Sequence, residues 1–351
     1  MSSLDDQDFC VLNKYASGFM VSQVIFAACE LGVFDVLAKA QEPLDSEAIA
    51  GRLDCSRRGT ELLLDACVSL GLLQVDVRSG AAYYRNSDMA DTYLATGSPK
   101  TQCHMLRYLG TTTYRCWGHL PEAIREGKNQ YMKAFGVPAD QLFAAIYRSE
   151  DERLRFMRGL QDIWSVCGTR VVTAFDLSTF PVICDLGGGS GALAKACVSV
   201  YPKCKVTVFD IPEVVGTART HFSFPEEGRI SFCEGDFFED HLPEADLYVL
   251  ARVLHDWPDD RCSHLLARVH HACKPGGGIL VVETVLDEGG RGPLSTLLCS
   301  LNMLLQTEGR ERTEAQFRAL LSSAGFCDIQ LRRTGGTYDA ILGRKESCHS
   351  T

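Results

Sequence analysis

The stretch Val182-Ile183-Cys184-Asp185-Leu186-Gly187-Gly188-Gly189-Ser190-Gly191-Ala192 limits what this chain can fold into more than any other. An apolar run enters a cluster of glycines and leaves as Leu193-Ala194-Lys195-Ala196, which has helical character. The order predicts a strand, a tight turn and a helix. Glycine adopts positive φ at little cost, and without a Cβ it lets a ligand approach the backbone. Free N–H groups at the helix start can face a polar ligand.

Two classes of cofactor fit this turn. Gly187-x-Gly189-x-x-Ala192 satisfies the dinucleotide pattern G-x-G-x-x-G/A, which keeps a nicotinamide enzyme in view. Asp185 shifts the balance. A carboxylate two residues before the first glycine repels an anionic pyrophosphate and attracts a cation, such as the amino and sulfonium groups of S-adenosylmethionine. The plain structural alternative is a bare strand-to-helix turn capped by Asp185.

After residue 182, apolar strands alternate with helical patterns. The strands are Val182–Leu186, Val206–Asp210, Ile230–Glu234, Ala245–Leu250 and Ile279–Glu283. This alternation predicts an α/β domain with a mostly parallel sheet covered on both faces. Ligands in such sheets bind beyond the carboxyl ends of the strands. Asp185, Asp210, Asp236, Arg252 and Glu283 all close or follow these runs.

The N-terminal part differs. Helices are expected over 9–40, from Asp45 and from Ser56 to Gly71, followed by a hairpin over 74–85. Helices then a small hairpin is a winged-helix pattern, which commonly binds DNA. Residues 1–110, however, hold nine Lys/Arg against fourteen Asp/Glu, and the whole chain carries a net charge of −10. Nucleic-acid binding needs a basic face, so no nucleic-acid partner is expected. A dimerisation module fits better, with Phe19, Val24 and Phe26 either facing a partner copy or filling this domain's own core. The expected organisation is 1–110 winged-helix-like, 111–180 a helical connection contributing to the pocket, 181–345 catalytic, and 346–351 a disordered tail. Aromatics from Tyr108 to Trp164, within the helix-rich residues 101–180, serve as core or pocket wall.

The start of the chain is acidic, without the basic, then apolar pattern of a signal peptide, and no apolar run is long enough to span a membrane. No two of the sixteen cysteines lie closer than seven positions. That excludes C-x-x-C, and with no H-E-x-x-H in the sequence no metal site is expected. A long chain with these features is expected to be cytoplasmic with reduced thiols.

Asp210 follows Gly187 by 23 positions, near the distance at which a carboxylate accepts both ribose hydroxyls of a nucleoside. Gly235-Asp236-Phe237 fits an adenine site, with Asp236 accepting from the exocyclic amine and Phe237 covering the ring. Arg252-Val253-Leu254-His255-Asp256-Trp257 sets a histidine just past a buried strand. Imidazole titrates near neutrality and suits a general base. Glu283 and Glu311 are placed to hold its tautomer and stabilise the imidazolium. Asp256 is a candidate to orient substrate, and Trp257 to pack.

Six motifs in order resemble the S-adenosylmethionine-dependent O-methyltransferases, which join a winged-helix dimerisation domain to a Rossmann-like catalytic domain. They are Asp185–Gly191, Val208–Pro212, Glu234–Phe238, Leu254–Trp257, Lys274–Gly278 and Glu311–Thr313. Gly18–Gln23, Tyr114–His119 and Ser300–Leu304 resemble the members that methylate a hydroxyindole. The resemblance implies a Rossmann-like class I methyltransferase fold and a homodimer. It implies S-adenosylmethionine contacts at Tyr147, Trp164, Asp210, Gly235, Asp236, Phe237 and Arg252, beside Asp185, Gly187 and Gly189. It implies His255 as base, and a small hydroxyindole held by Asp256, Asn302 and Gln306.

Overall fold

The computed structural model describes residues 4–138, 142–223 and 228–347. The last part of the expected tail, 348–351, lies outside the described residues. The chain forms two compact units, Met1–Tyr114 and Arg115–Thr351.

In the first unit, α1 (Leu4–Leu31) ends where Gly32 takes φ 82°, and α2 (Val33–Ala38) follows. The strand β1 (Leu44–Asp45) precedes α3 (Ser46–Leu53), whose first turn is capped by Asp45 accepting from Ala48 N–H at 2.8 Å. Ser56 caps α4 (Arg57–Ser69) in the same way. The hairpin of β2 (Leu73–Arg78) and β3 (Ala81–Asn86) joins β1 in a three-stranded sheet of order β1-β3-β2, the expected wing with one added strand. The helices α5 (Asp88–Tyr93) and α6 (Cys103–Tyr108) complete the unit, and a π-helical turn runs over Leu109–Thr113. Phe34, Leu64, Leu73 and Tyr84 lie at its core. Of the three residues suggested for a partner, Val24 packs on this core, and Phe26 sits so close to Gly110 that a Cβ there would meet its ring at 3.0 Å. Phe19 alone is exposed, with Phe9, Leu12, Tyr15 and Met20 along the same helix.

The second unit opens with helices: α7 (Tyr114–Trp117), α8 (Leu120–Glu126), α9 (Tyr131–Phe135), α10 (Leu142–Ile146) and the long α11 (Glu150–Val172). Strands and helices then alternate: β4 (Val182–Leu186), α12 (Ala192–Val200), β5 (Lys205–Asp210), α13 (Pro212–His221), β6 (Ile230–Glu234), β7 (Ala245–Ala251), α14 (Asp259–Ala272) and β8 (Cys273–Glu283). The chain ends through β9 (Val285–Leu286), α15 (Leu294–Gln306), β10 (Arg312–Thr313), α16 (Glu314–Ser323), β11 (Cys327–Arg332) and β12 (Asp339–Arg344).

Seven strands form one sheet of order β11-β12-β8-β7-β4-β5-β6. The five central and early strands run parallel, while β12 enters antiparallel to β8 and β11 antiparallel to β12. This is the Rossmann-like class I methyltransferase architecture. Two apolar layers cover the sheet, one around Leu250, Leu265 and Phe317, the other around Ile183, Val198 and Val282. Burial on both faces explains why β4, β7 and β8 are near-continuous apolar runs. The Lys274–Gly278 motif, which the sequence places ahead of the strand Ile279–Glu283, is the first part of β8, where a register shift against β7 absorbs its glycines. No described helix is long and apolar enough to cross a membrane.

Candidate functional site

The parallel strands all point their carboxyl ends to one edge, and the candidate residues gather there. Asp185 is the fourth residue of β4, ahead of the turn. Gly187, Gly189 and Gly191 take φ values of 69°, 58° and 82°, which L side chains rarely adopt. Gly188 is needed for space: a Cβ there would fall 2.7 Å from Asp185 Oδ2 and 2.9 Å from Val208 Cγ1. Asp210 closes β5 and grips the turn, with Oδ2 accepting from Gly189 N–H and Oδ1 from Ile211 N–H. One turn N–H expected to face the ligand is thus already taken.

Gly235 N–H donates to Asp210 carbonyl at 3.0 Å, and a Cβ on Gly235 would overlap the Phe209 ring. This close approach brings Asp236 and Phe237 beside the glycines. Asp236 Oδ1 accepts from Phe238 N–H, which fixes the carboxylate and leaves Oδ2 for a ligand. The Phe237 ring edge would lie 3.7 Å from a Cβ at Gly187.

Asp185 differs from the sequence expectation of a charged loop edge. It is buried, and its Oδ2 has no hydrogen-bond partner among the described residues. Burial, and then the Asp210 charge, push its carboxyl up to about 7. Burial likewise raises Asp210 to about 6, against the pull of its two backbone donors. Two buried carboxyls without a balancing cation are the electrostatic need that a cationic ligand meets. The donor set therefore fits a positively charged nucleoside: an orphaned acid, a turn without room for Cβ atoms, and a second acid whose oxygens each keep a lone pair.

Arg252 lies one residue past β7 in left-handed backbone at φ 59°. Its N–H donates to Val282 carbonyl, and its guanidinium reaches Tyr338 Oη at 3.0 Å and lies over the Tyr338 ring. Trp164 of α11 packs on the same ring at 5.3 Å between centroids. Tyr338 is thus a wall residue that sequence reasoning missed. Its only signal is its place just ahead of the terminal strand. Tyr147 sits with Phe143, Phe156 and Ile211, the residue after Asp210.

His255 occupies a 3-10 turn, Leu254–Asp256, and is almost fully buried. Its Nδ1 lies 2.9 Å from Glu311 Oε1 and 3.5 Å from Glu283 Oε2, and its Nε2 lies 3.6 Å from Asp256 Oδ1. Topology explains the convergence. β9 pairs in parallel with β10, Val285 opposite Arg312, so Glu283 and Glu311 come side by side just ahead of that ladder. Glu283 Oε1 also accepts the N–H groups of Val253 and His255, which fixes the turn. Arg312 is fully buried and donates to the carbonyls of Leu254 and Trp257 and to Asp259 Oδ1. Its part in holding the histidine turn was not read from sequence.

Burial alone would pull the imidazole down, but Glu283, Glu311 and Asp256 outweigh it and push His255 up to about 9. This departs from the near-neutral value expected, and its cause is three acids around one ring. Burial raises Glu283 and Asp256. Burial would raise Glu311, but the His255 charge and hydrogen bond, together with Thr284 and Arg252, hold it below its ordinary value. His255, Glu283 and Glu311 each present an atom within 4.8 Å of the others, near enough for an ion to bridge. The 2.9 Å Nδ1–Oε1 contact is itself a hydrogen bond, which an ion would have to break.

Asn302 and Gln306 lie one turn apart on α15. Gln306 Nε2 donates to Asn302 Oδ1 at 2.6 Å, Trp117 Nε1 donates to the same Oδ1 at 2.9 Å, and Tyr131 Oη donates to Gln306 Oε1 at 3.2 Å. Among the described residues, neither amide hydrogen-bonds His255. They join its turn through Trp257, which packs on the cluster of Trp117, Tyr131 and Leu305, and through Gly309, which has no room for a Cβ against His255 carbonyl.

With this geometry in place, the likenesses to known proteins fall into line. The O-methyltransferase domain model matches residues 117–327, and the O-methyltransferase dimerisation domain model matches 13–96. The acetylserotonin O-methyltransferase of Homo sapiens is 66% identical over 98% of this chain and 100% of its own length. That of Gallus gallus is 54% identical over 98% and 100%. The crystal structure of human N-acetylserotonin methyltransferase in complex with SAM superposes with a TM-score of 0.96 at 65% identity, covering 99% of this chain and 100% of that one.

Proposed function

This chain belongs to the S-adenosylmethionine-dependent O-methyltransferase family with an N-terminal dimerisation domain, and from that premise we propose the residues that carry its reaction. It transfers the methyl group of S-adenosylmethionine to the 5-hydroxyl of N-acetylserotonin, giving melatonin and S-adenosylhomocysteine. When bound, S-adenosylmethionine supplies an electrophilic methyl on a sulfonium. The observation that carries the residue assignment is His255 held at 2.9 Å by Glu311 on the same sheet edge as the glycine turn.

Glu311 accepts a hydrogen bond from Nδ1–H and fixes the tautomer, leaving Nε2 to accept the proton of the acceptor hydroxyl. A phenol-like hydroxyl has an ordinary pKa of roughly 10 and attacks poorly until that proton leaves. Glu283 and Glu311 then stabilise the imidazolium. Asp185 and Asp210 balance the ligand's positive charge, Asp210 accepts the ribose hydroxyls, and Asp236 with Phe237 takes the adenine. Gly187, Gly189 and Gly235 keep the backbone open to it. Tyr147, Trp164 and Arg252 with Tyr338 wall the donor, while Asp256, Asn302 and Gln306 orient the acceptor.

His255→Ala should cut turnover by about a hundredfold or more, while S-adenosylhomocysteine still binds by calorimetry. Near-normal turnover would remove the base assignment. Across N-acetylserotonin, simple phenols and flavonoids, kcat/KM should be highest for N-acetylserotonin. A higher value for another phenol would move the chain to a different acceptor.

The partner reading is a homodimer through α1, supported by the dimerisation model and by the exposed apolar residues on that helix. The acidic N-terminal unit supports no role for nucleic acid. A cytoplasmic setting is supported by fifteen free cysteines among the described residues, nine of them buried.

A further inference from the structure

We propose that Trp117 and Tyr131 are positioning residues that set the polarity of the acceptor-arm site, so that it recognises a carbonyl and rejects an amine. The proposal rests on the reading above that Asn302 and Gln306 face the acceptor.

One group in this set has a role that cannot reverse. An indole N–H is a donor only. The atom of Asn302 that meets Trp117 Nε1 at 2.9 Å is therefore its carbonyl oxygen. Gln306 also meets that oxygen, at 2.6 Å, so it does so with its amide N–H. Its own carbonyl is then the group facing Tyr131, 3.2 Å away, and the Tyr131 hydroxyl must donate to it. One fixed donor thus orders three side chains in series. Tyr131 is fully buried and Gln306 nearly so, which leaves the series little freedom to turn over.

The remaining capacity is one-sided. Asn302 Oδ1 already accepts two hydrogen bonds and Gln306 Oε1 accepts one. No described residue takes the Asn302 Nδ2 group, and Gln306 Nε2 has spent one of its two N–H groups. The half-buried Asn302 therefore offers donors to a ligand. An arm ending in an amide carbonyl satisfies them. An arm ending in a protonated amine brings more donors and leaves both sides unpaired, and an unpaired polar group in a shielded site costs more than a missing bond. The ligand chemistry this selects is an N-acylated hydroxyindole amine over the free amine.

The test compares N-acetylserotonin with serotonin as acceptor in the full-length protein, with S-adenosylhomocysteine affinity as the measure of an intact donor site. Tyr131→Phe and Trp117→Phe should raise KM for N-acetylserotonin about fivefold to tenfold with kcat little changed, narrowing its preference over serotonin. Asn302→Asp keeps the oxygen that Trp117 and Gln306 need and replaces the free donor with an acceptor. It should lower kcat/KM for N-acetylserotonin about a hundredfold and raise it for serotonin. If Asn302→Asp leaves the ratio of the two within about twofold of the parent while binding S-adenosylhomocysteine normally, the proposal falls. If either aromatic variant loses S-adenosylhomocysteine binding, Asn302→Asp decides alone. A parent enzyme inactive on N-acetylserotonin would defeat the acceptor reading itself, a result separate from an unchanged ratio.

Discussion

Around His255, three acids decide how the imidazole behaves. Against the pull of burial, Glu283, Glu311 and Asp256 together hold His255 above its ordinary range, at about 9. A base must be unprotonated to work, so kcat/KM should climb as pH rises toward that value, because this parameter reports the groups of the free enzyme. Glu311→Gln removes one negative neighbour, which makes the imidazolium less favourable. Its acidic limb should therefore move to lower pH, while the plateau falls because the tautomer is less firmly held. A pH profile from about 6 to 10 for parent and variant measures both. An unmoved limb would mean that the protonation setting the rate is elsewhere.

Among the elements, a two-residue ladder, β9 with β10, does the most for the site. Two residues from each strand align Glu283 with Glu311, and Arg312 pins the 3-10 turn by donating to Leu254 and Trp257 carbonyls. Arg312→Lys keeps the charge but loses the fork that reaches both carbonyls and Asp259 at once. It should cost about 2–4 kcal/mol of stability by urea unfolding and lower kcat at least tenfold, with S-adenosylhomocysteine binding less affected. The strand-turn-helix at 182–200 was legible in sequence because apolar runs on both faces of β4 and four glycines leave few other solutions. His255 was legible because it directly follows such a run. The partners of the site were less so. Tyr338 reaches Arg252 from 86 positions away, and Trp117 reaches Asn302 across 185. No local period records such pairings, because they depend on strand order. The value at which His255 titrates was hidden for the same reason: it depends on how many acids the sheet edge gathers.

On the molecular scale, apolar surface is distributed unequally. Along α1, Phe9, Leu12, Tyr15, Phe19 and Met20 are exposed, with Tyr15 75% and Phe19 50% accessible. Such a helix needs a cover. Tyr15→Asp with Phe19→Asp should convert a dimer into a monomer by sedimentation velocity, since two unpaired charges would be buried on each side. A variant that stays dimeric would place the interface elsewhere. The last strand has a different bearing on the protein's history. β12 runs beside β8 from Asp339 to Arg344, and Tyr338 just ahead of it closes the wall against Arg252 and Trp164. A chain emerging from the ribosome thus carries the glycine turn, the imidazole and both glutamates long before it can shelter a methyl donor. Competence arrives only once residues 338–344 are made, and a message cut short before them yields a protein with every recognisable motif and an unwalled site.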